Sequence, residues 1–243
     1  MSLKKLEKSK TETLKFYDLS KPFSKENEVF EIQEARRKRI ETFCSEKRSD
    51  DFLPQDSLRF TKMPKFESIY EFTTEDVQNP PAYIMTEDPI KRFLRYYHAN
   101  ARSSTKKPSK FILSAIKWKY SILIPDGIKV SVDLSIDEFA KFFLLTAKSN
   151  QTEIPLSLKK QVDKCHICST QPKFQAKIET VSEDMKFLYD QFNIPAPHQK
   201  EKDEKNYIDL YKPKLSTSLL KELLEFYKDD YSTFDYNADQ YLK

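Results

Sequence analysis

The stretch from Tyr83 to Tyr97 constrains the fold of this chain more than any other. Tyr83, Ile84 and Met85 form a short apolar run that predicts a strand. Asp88 is a good helix N-cap, and Pro89 falls at the first helical position, where its missing N–H costs nothing. Ile90, Phe93, Leu94 and Tyr97 then recur at the spacing of one buried helix face, with Lys91, Arg92 and Arg95 on the other sides. A strand-to-helix turn aims unpaired N–H groups and the positive end of a helix dipole at one spot, which with arginines nearby can hold a phosphate. The plainer alternative is a core helix after a buried strand, its basic residues simply solvated.

At 243 residues the chain can bury one main domain, with a tail or stem to spare. Charged residues make up 33%, mean hydropathy is −0.71 and there is a single Gly, the composition of a soluble chain poor in tight turns. An aromatic share of 13% argues against wholesale disorder. A net charge of +4 suits anionic small molecules or glycans and does not demand nucleic acid. No apolar run approaches the roughly 18 residues needed to span a bilayer, and Met1 to Lys15 lacks the core of a signal peptide, so neither a membrane anchor nor an address is expected here.

Residues 1–55 are mostly polar. Glu28 to Arg48 predicts an exposed helix, and its basic run Arg36-Arg37-Lys38-Arg39 reads as a solvated face rather than a nucleic-acid or nuclear-import patch. Phe111 to Ile116, Tyr120 to Ile124 and Ile128 to Val132 predict strands, the last two joined by the turn Pro125-Asp126-Gly127. Trp118, between lysines, suits a packed or half-exposed anchor better than a sugar-stacking platform. Ser135-Ile136-Asp137-Glu138 is a capping box opening a helix with Ile136, Phe139, Ala140 and Phe143 on one face, and Asn150-Gln151-Thr152 is a glycosylation sequon, meaningful only in the secretory pathway. Cys165-His166-Ile167-Cys168 by itself is half a zinc site or a redox pair, but zinc wants a second ligand pair and only His198 and Cys44 remain. Thr180 to Glu183 caps a helix bearing Met185, Leu188, Tyr189 and Phe192, and a closing helix carries Leu220, Leu223, Leu224 and Tyr227.

Several of these segments, in order, resemble the Golgi carbohydrate sulfotransferases, the group that includes the chondroitin and dermatan 4-O-sulfotransferases. Asp88-Pro89-Ile90-Lys91-Arg92 onward resembles Arg-Asp-Pro-Phe-x-Arg-Leu-x-Ser-x-Tyr, and Leu134 to Phe139 resembles Thr-Phe-x-Glu-Phe. Cys165 to Cys168 with Lys177-Ile178-Glu179-Thr180 and Asp184 is similar to Cys-x-Pro-Cys … Lys-x-Glu-Thr-x-x-x-Asp, the most specific part of the likeness. Tyr227-Lys228-Asp229-Asp230-Tyr231 to Tyr236 looks like the family's closing Tyr-x-x-Asp-Tyr/Phe-x-x-Phe-x-Tyr. Arg36 to Cys44 is similar to the arginine-rich stem helix that ends in a cysteine.

The resemblance implies an α/β sulfotransferase fold, P-loop-like, with a parallel sheet flanked by helices over residues 56–243 behind a stem-like region 1–55. It implies sulfonate transfer from 3′-phosphoadenosine-5′-phosphosulfate (PAPS) to a glycan hydroxyl of the chondroitin or dermatan kind in the Golgi lumen, without a metal. Lys65, Asp88, Pro89, Arg92 and Arg95 would hold the donor. The departures are specific. Neither alignment of the donor loop, through Met63-Pro64-Lys65 to Ile69 or through Thr73 to Val77, keeps its lysine, small residue and hydroxyl together, and both insert a carboxylate. Glu87 and Arg95 stand at the arginine and serine that grip the 3′-phosphate, Ala176 replaces a glycine, and Thr152-Glu153-Ile154-Pro155 lacks the histidine of His-Trp-x-Pro, an obvious general base. These losses predict that the chain binds the donor weakly or not at all and turns over no glycan, leave the catalytic residue unknown, and set an inactive glycan- or nucleotide-binding relative, or an incomplete gene model, beside the enzyme.

Overall fold

The computed structural model describes residues 28–47, 83–101, 108–120, 134–172, 174–192 and 207–242. In chain order the main elements are α1 (Glu28–Glu46), β1 (Tyr83–Thr86), α2 (Pro89–Ala101), α3 (Lys110–Tyr120), α4 (Ile136–Ser149), the short α5 (Gln161–Lys164) and α6 (Ile167–Thr170), β2 (Phe174–Lys177), α7 (Val181–Phe192), α8 (Tyr207–Tyr211), α9 (Thr217–Phe226) and α10 (Lys228–Phe234). β1 and β2 pair in parallel, Tyr83 opposite Phe174 and Thr86 opposite Lys177. Parallel strands cannot be joined by a hairpin, and α2 to α6 lie within the crossover. A parallel sheet flanked by helices is the α/β class the sequence implies.

The core forms where the apolar spacing places it. Ile90, Phe93, Leu94 and Tyr97 of α2 are buried against Phe139, Ala140 and Phe143 of α4 and Leu219, Leu220 and Leu223 of α9. The Phe93 ring lies 5.1 Å from Phe139 and 5.3 Å from Phe143, one contact tilted and the other edge-on. The capping box at Ser135 closes as expected: its hydroxyl accepts from the Glu138 N–H, and the Glu138 carboxylate accepts from the Ser135 N–H.

Two sequence expectations are corrected. Phe111 to Ile116 is not a strand but the body of α3, because the buried positions Phe111, Ile112, Ala115 and Ile116 recur with a helical period. A short apolar run carries both periodicities, and here the tertiary partners on α4 select the helix; the neighbouring strand expectations up to Val132 lie outside the described residues beyond Tyr120. Trp118 is 41% exposed with its ring 5.9 Å from Phe142, a half-exposed anchor.

The second correction concerns α1, which is a helix but not an exposed one: Gln33, Arg36 and Ile40 are buried. The Gln33 side chain bonds the backbone of β2 as a neighbouring strand would, its amide donating to the Gln175 carbonyl at 3.1 Å and accepting from the Gln175 N–H at 3.0 Å. Arg36 donates to the same carbonyl at 2.6 Å and to Asp184 of α7 at 2.8 Å. The other arginines of the run are engaged too, Arg37 with Glu34 and Glu41, and Arg39 with Asp235. A disulfide from Cys44 to Cys168 fastens the end of α1 to α6, so Cys165 and Cys168 do not pair with each other. Among the described residues no cluster of three or more metal-ligating side chains occurs.

The disulfide closes a loop of 124 residues, so in a chain-entropy view it removes much of the freedom of the unfolded chain. Cys44→Ser is expected to cost about 2–5 kcal/mol of unfolding free energy, read from urea titrations of oxidised wild type and variant. Coincident curves would show that α1 is held by its side chains alone.

Candidate functional site

In parallel α/β sheets ligands gather at the carboxyl ends of the strands. At that end of β1 the chain turns through Glu87 and Asp88 into α2. Asp88 Oδ1 accepts from the N–H groups of Ile90 at 2.9 Å and Lys91 at 3.1 Å, so the cap itself consumes the first-turn donors that sequence reasoning offered to a phosphate. The carboxylate is 2% exposed and also receives the hydroxyls of Tyr241 at 2.8 Å and Tyr231 at 3.4 Å and the amide of Gln240 at 3.3 Å. Burial pushes Asp88 above the usual carboxylate range, against the pull of these hydrogen bonds.

The end of β2 lies beside it. Glu179, two residues beyond the strand, accepts from the Asp88 N–H at 2.9 Å through Oε1 and from the Tyr236 hydroxyl at 3.3 Å through Oε2. Lys91 Nζ stands 3.8 Å away. The Tyr236 hydroxyl also lies 3.0 Å from Thr86 Oγ1, and the Lys177 ammonium sits over its ring at 4.7 Å. Asp184 holds the following turn by accepting from the Lys177 N–H and the Thr180 hydroxyl.

Arg92 points inward. It donates to Asp230 at 3.1 Å, with side-chain exposures of 6% and 0%, and its guanidinium lies 5.5 Å from the Tyr227 ring. Asp230 also accepts from the N–H groups of Gln161 at 2.8 Å and Val162 at 3.0 Å, and burial raises its pKa in spite of Arg92. Arg92 Nε and Nη1 are buried with no hydrogen-bond partner among the described residues.

One turn outward, Arg95 pairs with Glu87, the arginine half exposed and the carboxylate nearly buried. Lys164 of α5 is close enough to sense both Arg92 and Arg95, and its pKa is lowered first by burial and then by those two cations. Arg95 and the part-buried Lys164 are thus cations of this edge alongside Lys91, each with a carboxylate or thiol nearby.

Of the residues expected to hold a donor, Asp88 and Pro89 form the turn, Arg92 supports it from inside, Arg95 faces outward, and Lys65 lies outside the described residues. Sequence reasoning missed Lys164 and Tyr241, and quoted Glu179 only as part of a motif. The register could have shown Glu179, since a parallel pair ending at Thr86 and Lys177 puts residues just past both strands side by side. Three of the resembling segments, far apart in sequence, converge here: Asp88 touches Glu179 and Tyr231, while Arg92 touches Asp230.

Residues 8–237 match the sulfotransferase family, and the chain belongs to it. Members of the family transfer a sulfonate group from a sulfate donor. No curated protein and no solved structure matches the chain. Among the described residues no helix is long and apolar enough to cross a membrane.

The Arg92–Asp230 pair is buried, so removing one partner strands the other charge. Arg92→Ala is expected to cost about 3–5 kcal/mol, and a double replacement Arg92→Met with Asp230→Leu to recover much of it, both measured by chemical denaturation. A loss below about 1 kcal/mol for the single variant would place the pair among the weak, solvated kind.

Proposed function

We propose that this sulfotransferase moves a sulfonate from PAPS to a hydroxyl of a chondroitin- or dermatan-like glycan in the Golgi lumen. The observation that carries the reading is the convergence at one strand edge of the segments that resemble the carbohydrate sulfotransferases. The Cys44–Cys168 disulfide fits an oxidising compartment, and Asn150 of the sequon is exposed at the end of α4.

In this reading Arg95 and Lys164 meet the donor's phosphates, with Lys65 a further candidate cation. Asp88, Pro89 and Arg92 set the turn from which they act. Glu179 serves as the general base, replacing the histidine missing near Thr152: it is a partly exposed carboxylate at the strand edge, oriented by a backbone N–H and a tyrosine hydroxyl. Taking the acceptor's proton as the oxygen attacks sulfur would leave the nucleotide bisphosphate as leaving group, its charge offset by the two cations.

The test is transfer of labelled sulfonate from PAPS to chondroitin and dermatan, scored against boiled enzyme; no counts above that control would sink the reading. Isothermal titration with the bisphosphate product should give weak binding that Glu87→Gln strengthens about tenfold by removing a like charge from the phosphate. An unchanged or lower affinity would take Glu87 out of the donor site.

Glu179→Gln should lower kcat by about a hundredfold or more and remove the acidic limb of the pH–rate profile, with nucleotide binding retained. Retained turnover with an unaltered profile would exclude Glu179 as the base.

A further inference from the structure

Away from the strand edge there is a cavity of ≈ 470 Å³ between the end of α2, the start of α4 and the turn after α8. Tyr97, His98, Ser135, Ile136, Tyr211 and Lys214 line it. His98 is about 14 Å along the helix axis from Pro89, so this cavity is separate from the edge where the donor would bind.

Its lining is amphipathic. The rings of Tyr97 and Tyr211 meet edge to face at 5.1 Å and, with Ile136, give an apolar floor. Two donors stand beside them. The Lys214 ammonium touches the Tyr211 ring at 5.8 Å and has no ion pair among the described residues. The Tyr211 hydroxyl lies 2.6 Å from His98 Nδ1, and with the hydroxyl donating, the imidazole proton sits on Nε2, which has no partner among the described residues. The nearby Glu138 carboxylate is occupied by Ser135 and Lys119. An apolar ring face beside two unengaged donors, with no acidic side chain in the lining, complements a ring-bearing oxyanion.

From this lining we infer that the cavity is a second glycan subsite, which takes an anionic sugar unit. The apolar face of the sugar packs on the tyrosine rings, and its sulfate or carboxylate oxygens receive hydrogen bonds from Lys214 and His98. That the ligand is a glycan rests on the acceptor reading above; the preference for an oxyanion rests on the cavity itself.

The experiment is a titration of the full chain with a monosulfated chondroitin disaccharide, its unsulfated uronate-bearing counterpart and inorganic sulfate, followed by imidazole resonances. The chain has three histidines, which makes the His98 signals assignable. The monosulfated disaccharide should shift them, excess nucleotide bisphosphate should not reverse the shift, and Lys214→Ala should weaken binding about tenfold. Equal affinity for the unsulfated disaccharide would identify the carboxylate as the anchor, and binding of the sulfated one alone would identify the sulfate ester. Unmoved His98 signals, an affinity indifferent to Lys214→Ala, displacement by the bisphosphate, or an equal response to inorganic sulfate would each overturn the subsite. A chain that transfers sulfonate but gives no His98 response loses this inference alone, and one that binds the disaccharide without transferring loses only the catalytic reading.

Discussion

The carboxylate of Asp88 is the point on which the structure depends. It caps α2 and receives two tyrosine hydroxyls and an amide from the last part of the chain. Its own N–H is held by Glu179 from the other strand. Taking such a group out of water is expensive, and its raised pKa is the trace of that cost. Because the folded-state value lies above the unfolded one, this contribution to stability is full below the unfolded pKa and is lost as pH rises through the folded one. The several hydrogen bonds it accepts offset the cost near neutrality.

A second buried carboxylate, Asp230, does for the interior what Asp88 does for the edge. It receives Arg92 from α2 and the first N–H groups of α5, so three elements share one anion. With the Cys44–Cys168 bond and Arg36–Asp184 holding α1 against the free side of β2, a sheet of only two described strands is fixed on both flanks by polar contacts as well as by the apolar core.

Much of this was legible in the sequence. The helix after Pro89, the capping box at Ser135 and the apolar face around Leu223 follow from spacing and cap chemistry, which are local. What failed was decided at a distance. Phe111 to Ile116 satisfies either period, and only its packing against α4 selects a helix. Arg36 looks solvated until Asp184 and the edge of β2 arrive from far along the chain. The same holds for the site: Asp88 and Arg92 were visible as residues, but their inward roles depend on Tyr241 and Asp230, which no local pattern connects to them. Glu179 was visible as part of a motif, and only the strand register gives it a neighbour.

On the proposed donor reading, the carboxylate of Glu87 in place of an arginine and the added cation of Arg95 in place of a serine decide how damaged the donor edge is, and magnitudes favour impairment over loss. The pair engages one nitrogen of a guanidinium that has five donors, so Arg95 can meet a phosphate without leaving Glu87. A charge-assisted hydrogen bond contributes roughly 1.5–3 kcal/mol, more than the roughly 0.2–1 kcal/mol typical of a pair with one exposed partner. Glu87 is nearly buried, so separating it fully from Arg95 would cost more than either figure, and a bridging arginine avoids that step. Glu87 would then lower the local positive potential without blocking the site, while Lys164, whose pKa burial lowers, would gain from an anion arriving beside it. On the donor reading proposed above, an edge built this way would bind its nucleotide less tightly than one with an unopposed arginine, yet would retain cations for a departing phosphate.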